Sequence, residues 1–167
     1  MSTAAPSDWF KSRMSPEDRL KAEGIELPEA AGAAANYCPF VRTGNLVFIS
    51  GQLPMQGGKI AFTGKCGAEH DVDAGYAIAR LCAINVIAQA KQACGGDLSK
   101  VEQVVNIKGF VSSTVDFHDQ PKVVNGASDL IALAFGEKGR HSRSAVGVAV
   151  LPFNVPVEVE AVIQIRD

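Results

Sequence analysis

The chain has 167 residues, 47% of them apolar and 20% charged, which suits one globular domain with a substantial core. The formal net charge is −2 with no long Lys/Arg cluster, which argues against broad nucleic-acid binding but leaves room for one small anion site. No apolar run reaches 18 residues, so the sequence predicts no membrane span.

The first residues, MSTAAPSDWFKSRMSPEDRL, contain no apolar stretch of the kind a secretory signal needs. Residues 1–14 are polar and read as loose, with Trp9 and Phe10 candidates to tuck against a neighbouring subunit. SPEDRLKAEG, 15–24, predicts a short helix: Ser15 caps it, Pro16 sits at its first position, Glu17 and Asp18 fill the first turn and Gly24 stops it. CPFVRTGNLVFISGQLP, 38–54, reads as a β-hairpin turning at TGN. MQGGKIAFTGKCG is a Gly-rich loop with room for a short edge strand, and it fits no phosphate-loop pattern.

From about Asp71 to Cys94 apolar residues recur at helical period, closed by Gly95-Gly96. KVEQVVNIKGFVSS, 100–113, predicts a strand. A second helix follows, with Asp119 as its cap, Pro121 in its first turn and Gly136 at its end. Strands 142–150 and 156–165 complete the chain. The order ββ(β)αβαββ implies an α+β layer: a mixed sheet with both amphipathic helices on one face. The other sheet face then has no helix to cover it, and a bare face on a small domain usually meets another subunit.

Cys38, Cys66, Cys82 and Cys94 show no CxxC spacing and the three histidines are scattered, so neither a zinc site nor a disulfide framework is indicated. The expectation is reduced, mostly buried thiols in a cytoplasmic protein.

In RSAVGVAVLPFNVPVEVEAV, 143–162, three charges sit among valines: Arg143, Glu158 and Glu160. Read as a hairpin with a four-residue loop, Pro152 to Val155, the two strands pair Leu151 with Pro156 and Ala149 with Glu158. All three charges then lie on the face without helices. Arg143 and Glu158 would be offset by about six residues, or about 20 Å. Unless a bulge alters that register, they could share a small ligand only across a subunit interface. Solvated edge charges or interfacial salt bridges are the plain alternative. The sharper one is a small carboxylate-bearing substrate, because Arg grips a carboxylate bidentately and Glu can position or deprotonate a water.

The same stretch resembles the signature of the Rid family, the YjgF-type reactive intermediate deaminases once labelled endoribonuclease L-PSP. FISGQLP, 48–54, and VNIKGFVSSTVDF…VVN, 105–125, resemble two further motifs of that family. The resemblance covers residues 36–167 and leaves 1–35 as an N-terminal extension with a short helix. It implies a chorismate-mutase-like fold and a homotrimer with clefts between subunits. It also implies cofactor-independent hydrolysis of 2-imino or enamino acids to 2-keto acids and ammonia.

By position, Arg143 matches the arginine that grips the substrate carboxylate, and Glu158 the glutamate that positions the water. Asn125 matches the helix asparagine near the pocket, and Ser50 and Gly51 its wall. Phe40 stands where many members carry tyrosine, Ala145 where many carry cysteine, and Gly147 where deaminase members often carry glutamate. Two other functions stay open: a non-catalytic small-carboxylate-binding or regulatory protein, and an endoribonuclease. The second lacks a basic groove with stacking aromatics. Ser50 and Gln52 could also simply end a strand, Asn125 could be a solvated helix residue, and His141 could be an ordinary loop histidine.

Overall fold

The computed structural model of the chain describes residues 13–32 and 35–167, so Trp9 and Phe10 lie outside the described residues. Helix α1 (Pro16–Ala22) is capped as expected: Ser15 Oγ accepts from the Asp18 N–H at 3.1 Å. Its Leu20 is only 1% exposed, within the main core. The Glu17 carboxylate accepts the Leu98 N–H at 2.9 Å, which ties the helix to the body of the domain.

Strands β1 (Phe40–Thr43) and β2 (Leu46–Gln52) form the expected hairpin, turning at Gly44, whose φ of +58° suits glycine. The Gly-rich loop folds as a separate two-stranded ribbon, β3 (Met55–Gln56) and β4 (Lys59–Ile60). Helix α2 (Val72–Ala93) starts at Asp71, whose carboxylate accepts the Ala74 N–H at 2.8 Å. Strand β5 (Val101–Ser112) follows, and then helix α3 (Gln120–Phe135). Asp119 holds the cap position of α3 without capping it, since its carboxylate pairs with Lys122 at 3.0 Å instead. Strands β6 (Ser142–Val148) and β7 (Val157–Ile165) end the chain.

The main sheet has the order β1-β2-β7-β5-β6. Here the structure corrects the sequence reading: β6 and β7 do not form a hairpin. Strand β5 lies between them, pairing antiparallel with β7 and parallel with β6. The physical reason is the crossover. Between β5 and β6 the chain runs through α3, and a strand–helix–strand unit returns the second strand parallel to the first. Residues 149–156 then carry the chain past the end of β5 rather than turning tightly. Ser113 N–H donates to Val148 O at 3.3 Å and Ser112 N–H to Pro156 O at 2.9 Å, so the end of β5 holds both arms.

This pairing decides which way each side chain points. Arg143, Ala145 and Gly147 lie beside Ile107, Gly109 and Val111, whose side of the sheet is buried under the helices. Glu158 and Glu160 lie beside Phe110 and Lys108, on the open face. The three charges therefore do not share a face, contrary to the hairpin register. Arg143 is on the helix side, and it is Val146, 45% exposed, that joins Phe48 and Val41 on the bare side.

The helices approach the sheet and each other through glycines. A Cβ at Gly109 would run into Val124 of α3, and one at Gly126 would strike the backbone carbonyl of Tyr76 in α2. Backbone cannot move aside as a side chain can. Gly126→Ala should therefore destabilise the fold by about 3 kcal/mol or more, read as a lower urea midpoint with unchanged slope.

Candidate functional site

Arg143 projects from β6 onto the N-terminal half of α3. Its Nη1 donates to Asn125 Oδ1 at 2.8 Å and to Ser128 Oγ at 3.0 Å, and its Nη2 to Pro121 O at 3.4 Å. Positions 121, 125 and 128 follow helical spacing, so one stripe of α3 supplies all three acceptors. All are neutral. Among the described residues no carboxylate comes within 4.0 Å of the guanidinium. The side chain is thus oriented without being neutralised, and it is only partly buried. A guanidinium in that state keeps its charge for an anion.

A histidine backs this arrangement. His141 Nδ1 lies 2.6 Å from Gly139 O, and its Nε2 lies 2.9 Å from Ser128 Oγ. The carbonyl can only accept, so Nδ1 carries a proton, and in the neutral ring Nε2 offers a lone pair. Ser128 then donates its O–H to His141 and turns its own lone pair to Arg143. His141 therefore belongs to the site's support, which its loop position in the sequence did not reveal.

Ala145 sits two residues beyond Arg143 and packs partly buried against the core. At Gly147 a Cβ would meet Gln120 Nε2 at 2.7 Å and Ser113 Oγ at 2.9 Å. The Gln120 amide occupies the space that a larger side chain at 147 would need.

Glu158 belongs to a different place, on the open face beside β2. A Cβ at Gly51 would collide with its carboxylate, so only glycine lets the carboxylate lie against that backbone. Glu160 next to it is paired with Lys108 at 2.8 Å, whereas among the described residues Glu158 has no cation within 4.0 Å. Burial pushes the Glu158 carboxyl above the ordinary carboxylate value, and the charge of Glu160 adds to the rise. Beneath it Cys82 is buried, its Sγ 3.5 Å from Val157 O, and burial drives its thiol well up. Burial first and then Asp71 raise Cys66 to about 11. All four cysteines are free, and Cys38 alone of them is exposed.

Ser50 and Gly51 wall a cavity of about 260 Å³; Glu158 is not in its lining, though its carboxylate abuts Gly51. Ser50 Oγ donates to Cys38 O at 2.8 Å. Phe40 is not in that wall: it pairs with Ile49 and packs on the core. Tyr37 and Pro39 line the wall instead, so a phenol reaches the cavity from three residues earlier than the sequence motif suggested.

The predicted site residues thus fall into two groups. Arg143, Asn125 and Ala145 lie at the β6–α3 side; Glu158, Gly51 and Ser50 lie at the β2–β7 side. Arg143 and Glu158 are on opposite faces, three residue rows and two strands apart, or about 14 Å between Cα atoms. One chain does not bring them together. Tyr37, Ser128 and Gln120 were not identified from sequence; only Ser128 left a signal, its helical spacing from Pro121 and Asn125.

A mixed sheet with its helices on one face, Arg on the sixth strand and Glu on the seventh define the α+β fold of YjgF type. The family described as "YjgF/chorismate mutase-like, putative endoribonuclease" matches residues 17–163, and the chain belongs to it. The match begins within α1. Protein TCP17 of Trypanosoma cruzi is 47% identical over 89% of this chain and 92% of its own. The crystal structure of Atu1372 from Agrobacterium tumefaciens, a protein with unknown function, is 52% identical, covering 90% of this chain and 92% of its own with a TM-score of 0.86. Escherichia coli TdcF with bound serine is 31% identical, covering 86% and 98%, at a TM-score of 0.56. Among the described residues no helix is long and apolar enough to cross a membrane.

The position of Glu158 has a consequence for stability. A carboxyl raised by burial holds its proton more tightly folded than unfolded. Its favourable contribution is present below the ordinary value of 4.5 and is lost as pH rises through the folded value. Glu158→Gln should therefore melt higher than wild type at about pH 7.5, with the gap closing as pH falls below about 4. Equal melting temperatures at the higher pH would show that the carboxylate is well solvated.

Proposed function

We propose that the chain hydrolyses reactive 2-imino and enamino acids to 2-keto acids and ammonia, without a cofactor, in clefts between the subunits of a homotrimer. The observation that carries this reading is Arg143, held in place by neutral acceptors alone and therefore free to bind a substrate carboxylate. Glu158 supplies the second half. Burial raises its carboxyl above the ordinary value, which makes it a stronger base than a solvated glutamate. Because the two lie on opposite faces of one sheet, a shared substrate needs the Arg143 side of one subunit against the Glu158 side of the next. The exposed Phe48, Val41 and Val146 on the bare face accord with such an assembly. The serine bound to TdcF, a carboxylate-bearing ligand in a relative, accords with the substrate class. Three buried free thiols accord with a reducing, cytoplasmic setting.

The reaction asks little of the protein. The carbon of a protonated imine is already electrophilic. With its carboxylate fixed by Arg143, that carbon faces a water aimed by Glu158. Glu158 takes a proton as the C–O bond forms, giving a carbinolamine. Glu158 returns that proton to nitrogen; the C–N bond then breaks as Glu158 takes the hydroxyl proton, releasing ammonia and leaving the keto acid.

Arg143→Ala should lower kcat/KM for imines generated in situ by roughly 100-fold, the size of a lost charged hydrogen-bond pair. Shared clefts make a sharper expectation. When inactive Arg143→Ala and Glu158→Gln chains are unfolded together and refolded at equal amounts, about a quarter of the clefts regain both groups. Recovery of activity near that fraction is the expected result, and none at all would overturn the shared cleft.

A second reading has one observation in its favour. The Gln120 amide fills the space beside Gly147, where deaminase members often carry glutamate, so the scaffold could bind a small carboxylate without turning it over. Ligand affinity that depends on Arg143, with no rate above background, would favour that reading.

A further inference from the structure

The guanidinium of Arg143 is held by one end. Its Nη1 donates to Asn125 Oδ1 at 2.8 Å and to Ser128 Oγ at 3.0 Å, which uses both protons of that nitrogen. Nη2 gives one proton to Pro121 O at 3.4 Å. All three acceptors lie on α3, so the helix holds the Nη1 end and leaves the edge formed by Nε and Nη2 open. The Nε–H has no acceptor among the described residues, yet the nitrogen is not buried: solvent reaches it. Two parallel N–H groups on such an edge match the two oxygens of a carboxylate.

A chain of donors runs inward from the held end. Arg143 gives a proton to Ser128, Ser128 gives its own to His141 Nε2 at 2.9 Å, and His141 Nδ1 gives one to Gly139 O at 2.6 Å. The chain ends on backbone that cannot turn. Gly139 is buried against α3, where a Cβ would strike Ile131 O at 2.6 Å. Because that carbonyl only accepts, it sets the direction of every bond back to Arg143 while His141 is neutral. A serine within a helix has another choice, since its hydroxyl readily turns to a carbonyl of its own helix one turn back. The imidazole acceptor holds the Ser128 hydroxyl out of that alternative, and its oxygen stays on Nη1.

We propose that His141 is a positioning residue for the substrate carboxylate: acting through Ser128, it keeps Nη1 on α3 and so aims the Nε and Nη2 edge at the ligand. This deepens the hydrolase reading and rests on it for the anion being a substrate carboxylate. Asn125 and Pro121 hold the guanidinium directly, whereas His141 touches neither Arg143 nor the ligand. Its effect therefore has to pass through Ser128, and this makes the proposal separable from a general contribution to folding.

The test uses pyruvate, the smallest chiral-free 2-keto acid product of the proposed reaction, with the whole protein. Titration calorimetry compares wild type with His141→Phe, His141→Gln, Ser128→Ala and the double variant His141→Phe with Ser128→Ala. Phenylalanine keeps a ring and removes both nitrogens, and glutamine returns an oxygen able to accept the Ser128 proton. His141→Phe and Ser128→Ala should each weaken pyruvate about tenfold, the size of one hydrogen bond to a charged group. The double variant should bind no more weakly than either, because the two residues act in series, and His141→Gln should regain most of the affinity. Proton–nitrogen spectra supply a readout that a merely structural role would not move. In wild type the Arg143 Nε–H resonance, identified by its loss in Arg143→Ala, should shift on adding pyruvate, and neutral His141 should carry its proton on Nδ1. Additive losses in the double variant, unchanged affinity in both single variants, no pyruvate binding to wild type, or a neutral His141 protonated on Nε2 would overturn the proposal. Should His141→Phe fail to fold, Ser128→Ala and the wild-type spectra decide. Turnover of the imine generated from alanine is followed alongside. Pyruvate binding that follows the chain, without turnover, sinks the hydrolase reading and leaves the positioning role; turnover that needs Arg143 but ignores His141 and Ser128 does the reverse.

Discussion

Everything about this site depends on how strand β5 divides its two edges. Side chains alternate across a strand, so a partner's register decides which of its residues face the helices. Strand β5 gives one edge to β7, running antiparallel, and the other to β6, running parallel. The shared row Ile107 then carries Arg143 to the helix face, while the row of Phe110 carries Glu158 to the open one. Had β6 and β7 paired directly, Arg143 would have met solvent or a neighbour without α3 to hold it. The crossover through α3 both sets β6 beside β5 rather than β7 and delivers the stripe of acceptors that orients the guanidinium.

The two halves solve opposite electrostatic problems. Arg143 is oriented without being neutralised, by amide, hydroxyl and carbonyl oxygens. A carboxylate partner would hold it as firmly but would compete with any anionic ligand. Glu158 has a higher proton affinity than a solvated carboxylate. It gets this from burial against the backbone at Gly51, reinforced by Glu160, whose own charge is engaged by Lys108. The glycine at 51 is therefore an electrostatic as well as a steric requirement: any side chain there would displace the carboxylate from its partly dry position.

The departures from the family pattern also acquire physical content. Phe40 serves the core, and Tyr37 brings an aromatic with a hydroxyl to the cavity. Gly147 leaves room for Gln120. The changes at 40 and 147 are each paired with a residue from another segment, whereas Ala145 simply packs against the core. Such pairing is invisible in a motif read along one strand, because Tyr37 and Gln120 reach the site from other segments.

The sequence by itself determined the elements, their order and the α+β class, because helical and strand periodicities, caps and glycine stops are local. Ser15, Asp71 and Gly44 each act within a few residues of themselves. It also determined the residue types of the site, since Arg143, Glu158 and Gly51 stand in motifs that can be matched in order. Only the tertiary structure decided which face each of them occupies. Adjacent strands in a sequence suggest a hairpin, and nothing local to residues 143–165 records that β5 lies between them. Strand pairing is a long-range competition for hydrogen-bonding edges, settled by the helix crossover and by burial of whole rows. A single change of partner moves Arg143 from one side of the sheet to the other.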